Sequence, residues 1–132
     1  MFKISPIQSP DLQKQYATKC HCEYKSNSFA YAMVDSNTGE LMGFSQFEIG
    51  ADGGTLLDLR LADEYAEDYE AIFILGRATM NFIDLCGVHT LKASADAANS
   101  TLLRAIGLLP TADGSYFCDM TGFFDGSHCS GH

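Results

Sequence analysis

Side chains of alternating character run through the first half of the chain in the manner of a β-sheet. Large and small or polar residues alternate from Phe29 to Val34 and again from Leu41 to Glu48, which is the two-residue period of a strand. Turns rich in Asp, Asn and Gly, at 35–39 and 50–54, separate these segments from each other and from the apolar run Thr55–Leu61. Because such connections are short, the sequence predicts three consecutive antiparallel strands.

The second half of the chain changes to a helical period. Apolar residues recur three and four positions apart between Tyr69 and Leu85, as in an amphipathic helix. Its predicted buried face consists of Ile72, Leu75, Thr79, Phe82, Ile83 and Cys86, and Gly87 is a suitable C-cap. Val88–Ala93 reads as another strand. The run Thr55–Leu61, the helix and Val88–Ala93 therefore predict a βαβ crossover with two parallel strands.

Shorter patterns complete a predicted order of β-α-β-β-β-α-β-α-β. The remaining segments are a first strand through Phe2, Ile4 and Ile7, a helix capped by Asp11, a helix over Ala97–Ile106 and a final strand over Tyr116–Phe124. This order predicts an α/β fold, with a mixed, mostly antiparallel central sheet flanked by helices. We expect one domain over residues 1–125 and a flexible C-terminal tail over 126–132.

Charge and composition narrow the classes of partner. The chain carries 8 Lys and Arg residues against 17 Asp and Glu residues, a formal charge of −9. Such a balance disfavours binding to nucleic acid, whose phosphates need clustered basic residues, and to anionic membrane surfaces. It suits a cationic amine as substrate or partner. The N-terminus carries no signal-peptide pattern, no apolar run is long enough to span a bilayer, and the 5 cysteines read as reduced thiols. These features predict a cytoplasmic protein.

Three sequence words resemble the GNAT superfamily of acetyl-CoA-dependent N-acetyltransferases. Leu-Met-Gly-Phe at 41–44 is similar to the "L-V-G" entry of the family's hairpin, and Leu-Arg-Leu-Ala-Asp-Glu-Tyr at 59–65 to the central strand and its "V-x-P-E-Y" exit. Asn-Ser-Thr-Leu-Leu-Arg-Ala-Ile-Gly-Leu at 99–108 is similar to the late "N-x-x-x-x-x-x-x-G-F" helix. The resemblance covers about residues 29–124. It implies a GNAT fold, acetyl-CoA as co-substrate, and a small-molecule or protein amine as acceptor.

The turn after the central strand departs from the family pattern. The family places Q/R-x-x-G-x-G/A there, and the amides and basic side chain of that motif hold the CoA pyrophosphate. This chain has Ala66-Glu-Asp-Tyr-Glu-Ala71, with neither glycine nor cation. Gly76 begins the nearest G-x-A word, but it lies two turns into the predicted helix, where amides already bond to the preceding turn. The sequence therefore leaves two hypotheses: an N-acetyltransferase with a degenerate pyrophosphate loop, or an inactive GNAT-fold binding or sensor module that forms a homodimer.

The resemblance also implies candidate site residues. Backbone groups of Leu59 and Leu61 would orient the pantetheine arm, Asn99 would bond to it, and Tyr116 would protonate the leaving thiolate. Asn99 is equally suited to be a simple helix cap, and Tyr116 to be an ordinary core residue. Glu48 and Asp58, on neighbouring strands, are candidate general bases, although solvated strand carboxylates are the commoner occurrence.

The terminal cysteines and histidines raise a metal site as a third hypothesis. They form two clusters, Cys20-His21-Cys22 and His128-Cys129 with His132. The C-x-C spacing matches zinc sites poorly, since these use C-x₂₋₄-C pairs. We expect no metal, and read these residues as scattered thiols and surface histidines.

Overall fold

The computed structural model describes residues 1–124, and the described part folds around one sheet. The predicted tail, with His128, Cys129 and His132, lies outside the described residues. The strands are β1 (Phe2–Pro6), β2 (Phe29–Asp35), β3 (Leu41–Gly50), β4 (Gly53–Leu61), β5 (Thr90–Ala93), β6 (Leu109–Pro110) and β7 (Tyr116–Asp119). The helices are α1 (Pro10–Lys19), α2 (Tyr69–Leu85) and α3 (Ser100–Ile106), with a 3-10 turn at Asp63–Tyr65.

The sheet is mixed and mostly antiparallel, as the sequence predicts. Its seven strands lie in the order β1-β2-β3-β4-β5-β7-β6. Within residues 1–124 the β4–β5 pair is the parallel one, and the other neighbouring strands run antiparallel. The predicted crossover through α2 is therefore confirmed. The outermost strands, β1 and β6, each end in a proline, Pro6 and Pro110.

Each face of the sheet has its own apolar core. On one face, α2 and α3 pack against side chains such as Met33, Phe47 and Leu59. On the other face, α1 packs against Ala30, Ala32 and Phe44 and against the start of the segment that follows α1. None of the helices within 1–124 has both the length and the apolar character needed to cross a membrane.

Helix α2 lies close to the sheet and to α3 at two small buried residues, Gly76 and Thr79. A Cβ atom added at Gly76 would be 3.0 Å from Leu59 Cδ2 and 3.0 Å from Ile106 Cγ2. Thr79 Oγ1 forms a buried hydrogen bond of 2.8 Å with Ser45 Oγ on β3. Gly76 is thus a packing glycine in the helix interior, and the alternative of a ligand loop beginning at Gly76 is excluded.

Several predicted boundaries are wrong. Ser9, not Asp11, caps α1, and Pro10 begins the helix, a position that tolerates its missing N–H. The final strand ends at Asp119 and residues 121–124 form a turn. The two-residue strand β6 was not predicted, because a pair of strand residues has no period. Cys86 is exposed rather than buried, since it follows the last turn of α2 and no element covers it.

Candidate functional site

The sheet opens next to an irregularity in β4. Gln46 on β3 is opposite Asp58, and the next residue, Phe47, is opposite Leu56. Leu57 is therefore an extra residue on β4, which defines a β-bulge. Pairing between β4 and β5 stops at Leu56 and Ala93, one residue before the bulge. Open sheets bind ligands at such a point, beyond the ends of parallel strands where the connections diverge.

The segment 94–98 lies beside the part of β4 that β5 leaves. The Leu59 N–H donates to the Ala97 carbonyl oxygen at 2.9 Å, and Arg60 Nη2 donates to the Asp96 carbonyl oxygen at 2.6 Å. Ala97 is fully buried. The roles predicted for Leu59 and Leu61 stay predictions, and a ligand that uses the Leu59 amide has to replace Ala97 as its partner.

The start of α2 is capped by the protein itself. Asp68 is the N-cap, and its Oδ1 accepts from the Ala71 N–H at 3.1 Å. The Tyr69 N–H donates to the Glu67 carbonyl and the Ile72 N–H to the Asp68 carbonyl. A helix start otherwise offers its free N–H groups to an anion. Here the Asp68 carboxylate lies where such an anion would bind. A shallow hollow of about 370 Å³ outside it is lined by Asp63, Glu64, Tyr65, Ala66, Glu67 and Asp68.

A more apolar groove lies between α2 and α3. Its volume is about 480 Å³, and its lining consists of Tyr69, Ile72, Phe73, Asn99, Thr101, Leu102 and Ala105. Asn99 is the N-cap of α3, and its Oδ1 accepts from the Leu102 N–H at 2.8 Å. The cap interpretation of Asn99 is therefore satisfied by the structure. Its position in the groove keeps the ligand-binding role as a prediction.

Asp58 is the centre of a buried polar network on the face that carries α1. Asp58 is 4% exposed. Asp58 Oδ2 is 2.6 Å from Lys25 Nζ and 2.9 Å from Gln46 Nε2, and Oδ1 is 3.9 Å from Arg60 Nη2. Partners of this kind offset the cost of withdrawing a carboxylate from water. The structure thus places the candidate base beside the bulge, with an ammonium group bound to it.

The second candidate base, Glu48, lies elsewhere on the same pair of strands. It is exposed, opposite Thr55, and lines a hollow of about 410 Å³ next to the turn between β3 and β4. Lys92 and Phe117 line the same hollow, and Asp58 does not. The two carboxylates therefore do not form one site, and the role of Glu48 stays a prediction.

Tyr116 belongs to the core in this structure. It begins β7, pairs with Ala93 and Pro110, and is 9% exposed. None of the hollows described above is lined by it. The predicted role of Tyr116 as the proton donor is not supported by any contact and stays a prediction.

The residues that surround Asp58 were not predicted from the sequence. Lys25 lies in a polar segment between α1 and β2, Gln13 in α1 and Gln46 in the middle of β3. Gln46 is fully buried. An amide in the centre of a strand otherwise filled with apolar or small residues was the one signal that could have located the network, because buried polar groups need partners.

Of the cysteines considered for a metal site, Cys20 is a buried thiol and Cys22 a half-buried one. Burial raises the pKa of Cys20 to about 12 and that of Cys22 to about 11. His21 Nε2 is paired with Asp63 at 2.9 Å, and both side chains are exposed. Within residues 1–124 no group of three or more His, Cys, Asp or Glu side chains is arranged to hold a metal ion.

Comparisons with known proteins identify the fold. No family model matches the chain, and no curated protein sequence matches it. The structure is similar to that of the ribosomal-protein-S18-alanine N-acetyltransferase from Escherichia coli, with a TM-score of 0.70 and 17% identity over 91% of this chain and 94% of the other. It is also similar to the IAA acetyltransferase from Bacillus cereus ATCC 14579, with a TM-score of 0.62 and 12% identity over 85% and 79% of the two chains.

Two further similar structures are complexes. That of AtaTR bound with AcCoA has a TM-score of 0.64 and 14% identity over 92% of this chain and 94% of the other. That of the KacTA–DNA complex has a TM-score of 0.69 and 13% identity over 100% of both. The chain therefore has the GNAT fold, as its sequence words predict. The expected exclusion of nucleic acid stays a prediction, as does the expected absence of a metal.

Proposed function

We propose that the protein transfers an acetyl group from acetyl-CoA to an amine. The observation that carries this proposal is the opening beside the Leu57 bulge, where β5 leaves β4 and a buried carboxylate, Asp58, follows directly. The similarity in fold to several acetyltransferases supports it. In this arrangement the thioester arm enters between the strands, and the acceptor amine approaches from the face of Asp58.

The chemistry needs a base and an orienting strand, not a covalent nucleophile. Asp58 takes one proton from the acceptor ammonium, and the freed lone pair attacks the thioester carbonyl carbon. The C–S bond then breaks, and the second nitrogen proton passes to the departing thiolate. Positioning the two reactants in one cleft supplies much of the rate gain, and the base adds about 10²–10⁴-fold.

In this proposal acetyl-CoA binds without a loop of N–H groups around its pyrophosphate. The carboxylate of Asp68 accepts from the Ala71 N–H at the start of α2, and Glu67 and Glu70 flank Asp68 in the sequence. Phosphate oxygens next to these groups would meet like charge, which is unfavourable. We expect the pantetheine arm to provide most of the affinity for acetyl-CoA, from the groove between α2 and α3 that Asn99 lines.

Two observations favour a second candidate function. The Leu59 amide is already bonded to Ala97, and the helix start to Asp68. Two of the places where the GNAT resemblance implies contacts with CoA are thus filled by the chain itself. A GNAT-fold binding or sensor module that no longer takes CoA, working as a homodimer, would have these features.

Calorimetry with two donors separates the candidates. Acetyl-CoA and S-acetylpantetheine, which lacks the phosphates, are titrated into the unaltered protein and an Asp68→Lys variant. We expect the unaltered protein to bind both ligands with similar affinity. Asp68→Lys should bind acetyl-CoA about tenfold more tightly, equal to about 1.4 kcal/mol, and S-acetylpantetheine unchanged.

An Asp52→Lys variant provides the matched control. It makes the same change of charge in the turn between β3 and β4, at the opposite end of β4 from α2, and should leave both affinities unchanged. Absence of heat and of a thermal shift with millimolar concentrations of either donor, in the unaltered protein and in Asp68→Lys, would exclude the acetyltransferase and leave the binding module.

A further inference from the structure

Asp58, Gln46 and Lys25 form a polar cluster, called the Asp58 pocket below, in which the carboxylate binds an ammonium group. The carboxylate is almost completely buried, and a buried carboxylate without a cation is strongly unfavourable. Gln46 is fully buried and donates to Asp58 Oδ2 at 2.9 Å. Gln13 Nε2 donates to Gln46 Oε1 at 2.9 Å, which fixes the orientation of the Gln46 amide. Asp58 Oδ2 thus accepts from Gln46 of the sheet, whose amide is oriented by α1, and from the Lys25 ammonium.

The ammonium comes from a connecting segment rather than from the sheet. Lys25 Nζ is 2.6 Å from Asp58 Oδ2, and its side chain is 34% exposed. The segment that carries it is fastened by its backbone: the Lys25 N–H donates to Gln46 Oε1 at 3.0 Å, and Gln46 Nε2 donates to the Glu23 carbonyl at 2.9 Å. Lys25 can therefore leave Asp58 by rotation of its side chain, while the backbone stays in place.

The Lys25–Asp58 ion pair lies at the proposed reaction site, so it bears on function as well as on stability. Asp58 follows the Leu57 bulge directly, at the opening between β4 and β5. Arg60, the other nearby cation, is 3.9 Å away at Oδ1 and is bonded to the Asp96 carbonyl. Lys25 is thus the cation in hydrogen-bond contact with Asp58, and a primary amine of the chain already lies at the proposed reaction site.

We propose that the Asp58 pocket is the acceptor site, that it takes primary alkylammonium ions, and that Lys25 fills it in the resting chain. The acceptor role rests on the proposed function. The pocket accommodates an unbranched alkyl stem with a terminal ammonium, as in a lysine side chain or a linear diamine, because Lys25 has that shape. An incoming acceptor displaces the Lys25 ammonium and pairs with the same carboxylate.

Rescue by a small amine tests the pocket without any donor. Lys25→Ala leaves the carboxylate without its ammonium and should lower the thermal midpoint, and propylammonium, which replaces the missing atoms, should raise it again by at least about 3 °C. Propanol and tetramethylammonium should have no such effect. Lys14→Ala is the matched control, because Lys14 lies over the Tyr24 ring at 5.3 Å on α1 and contacts no buried carboxylate. Rescue should vanish in the Lys25→Ala/Asp58→Asn double variant.

Turnover tests the acceptor role. With acetyl-CoA, Lys25→Ala should acetylate propylamine with a KM about tenfold below that of the unaltered protein and a similar kcat, because the competing ammonium is gone. One outcome is that propylammonium raises the thermal midpoint of Lys25→Ala but no variant acetylates propylamine. That result supports the ammonium pocket and overturns both its role as acceptor site and the proposed function. Turnover with an unchanged KM and no rescue leaves the proposed function standing and overturns this inference.

The unaltered protein provides a readout that does not depend on a variant folding. Acetylation of lysines by an N-hydroxysuccinimide ester is followed by peptide mapping, with and without propylammonium. If propylammonium displaces Lys25, modification of Lys25 should rise relative to that of Lys14. An unchanged ratio at saturating propylammonium contradicts the inference.

Discussion

The cysteine thiols differ in reactivity because they differ in burial. Cys20 is 2% exposed, and its burial raises its pKa to about 12, whereas Cys86 is exposed at the end of α2. Only the thiolate is nucleophilic. With its pKa raised from 9.0 to about 12, Cys20 has a thiolate fraction near neutral pH that is lower by about 10³.

We therefore predict that iodoacetamide modifies Cys86 in the native protein at least about 100-fold faster than Cys20. Peptide mapping after timed quenching measures both rates. In denaturant the two residues should react at similar rates, which controls for local sequence. Equal rates in the native protein would show that the segment after α1 opens readily.

Asp113 makes stability depend on pH in the turn before β7. Its Oδ1 accepts from Thr111 Oγ1 at 2.6 Å, Ser115 Oγ at 2.6 Å and the Ser115 N–H at 2.9 Å. These hydrogen bonds lower the pKa of Asp113 from 3.8 to about 2. Because the pKa is lower in the folded protein, the stabilisation is complete above the unfolded value and is lost as pH falls towards about 2.

We predict that the thermal midpoint of Asp113→Ala lies below that of the unaltered protein at about pH 5, and that the gap narrows as the pH approaches about 2. Scanning calorimetry across that range measures it. Ser115→Ala, which removes one of the donors, should show a smaller gap with the same trend. A gap that stays constant over the whole range would contradict the assignment of these hydrogen bonds to the charged form.

At the residue scale, the sequence predicted the structural position of a residue, such as a helix cap, better than its partners or its burial. Asn99 was predicted as a cap or a ligand contact, and it is a cap that also lines a groove. The partner of Asp58 was not predicted, because Lys25 and Asp58 are far apart in sequence and no periodic pattern links a connecting segment to a strand. Cys86 was assigned to the core from its helical phase, but the helix ends just before it.

Among the elements, α2 contains a close contact that a larger side chain would break. Gly76 lies against β4 and α3, with Leu59 and Ile106 each 3.0 Å from the place of a Cβ. We predict that Gly76→Val destabilises the fold by about 1–3 kcal/mol, the usual cost of overpacking. Urea unfolding followed by circular dichroism measures the free energy of unfolding.

Ala78→Val is the matched control, because Ala78 is half-buried on the same helix. It should cost under about 1 kcal/mol, from the lower helix propensity of valine alone. Equal effects of the two substitutions would mean that α2 can move away from the sheet without cost.

The end of the described chain is fastened to α2 by aromatic rings. The Arg77 guanidinium lies over Phe123 at 4.9 Å and over Phe124 at 5.3 Å, and it also lies over Phe73 at 5.8 Å. Contacts of a cation with ring faces are favourable. The structure thus pairs Phe123 and Phe124 with Arg77 of α2.

At the scale of the molecule, the period of the side chains predicted most of the fold. Two-residue alternation located β2 and β3, and the change to a helical period located α2 and hence the parallel pair of β4 and β5. The segment 20–28 has no period, so its attachment to the sheet through Gln46 could not be derived. The site is less predictable than the fold for the same reason, because its contacts join segments that share no pattern.

The prolines in the two outer strands affect whether the sheet can pair with a strand of another molecule. An outer strand with free N–H and C=O groups can accept a further strand from a neighbouring molecule, which leads to fibrils or swapped assemblies. Proline offers no N–H to such a strand. Pro6 in β1 and Pro110 in β6 each remove one such donor from an outer strand, and β6 is only two residues long. Within residues 1–124 both margins of the sheet therefore offer fewer donors to a further strand than uninterrupted edges would.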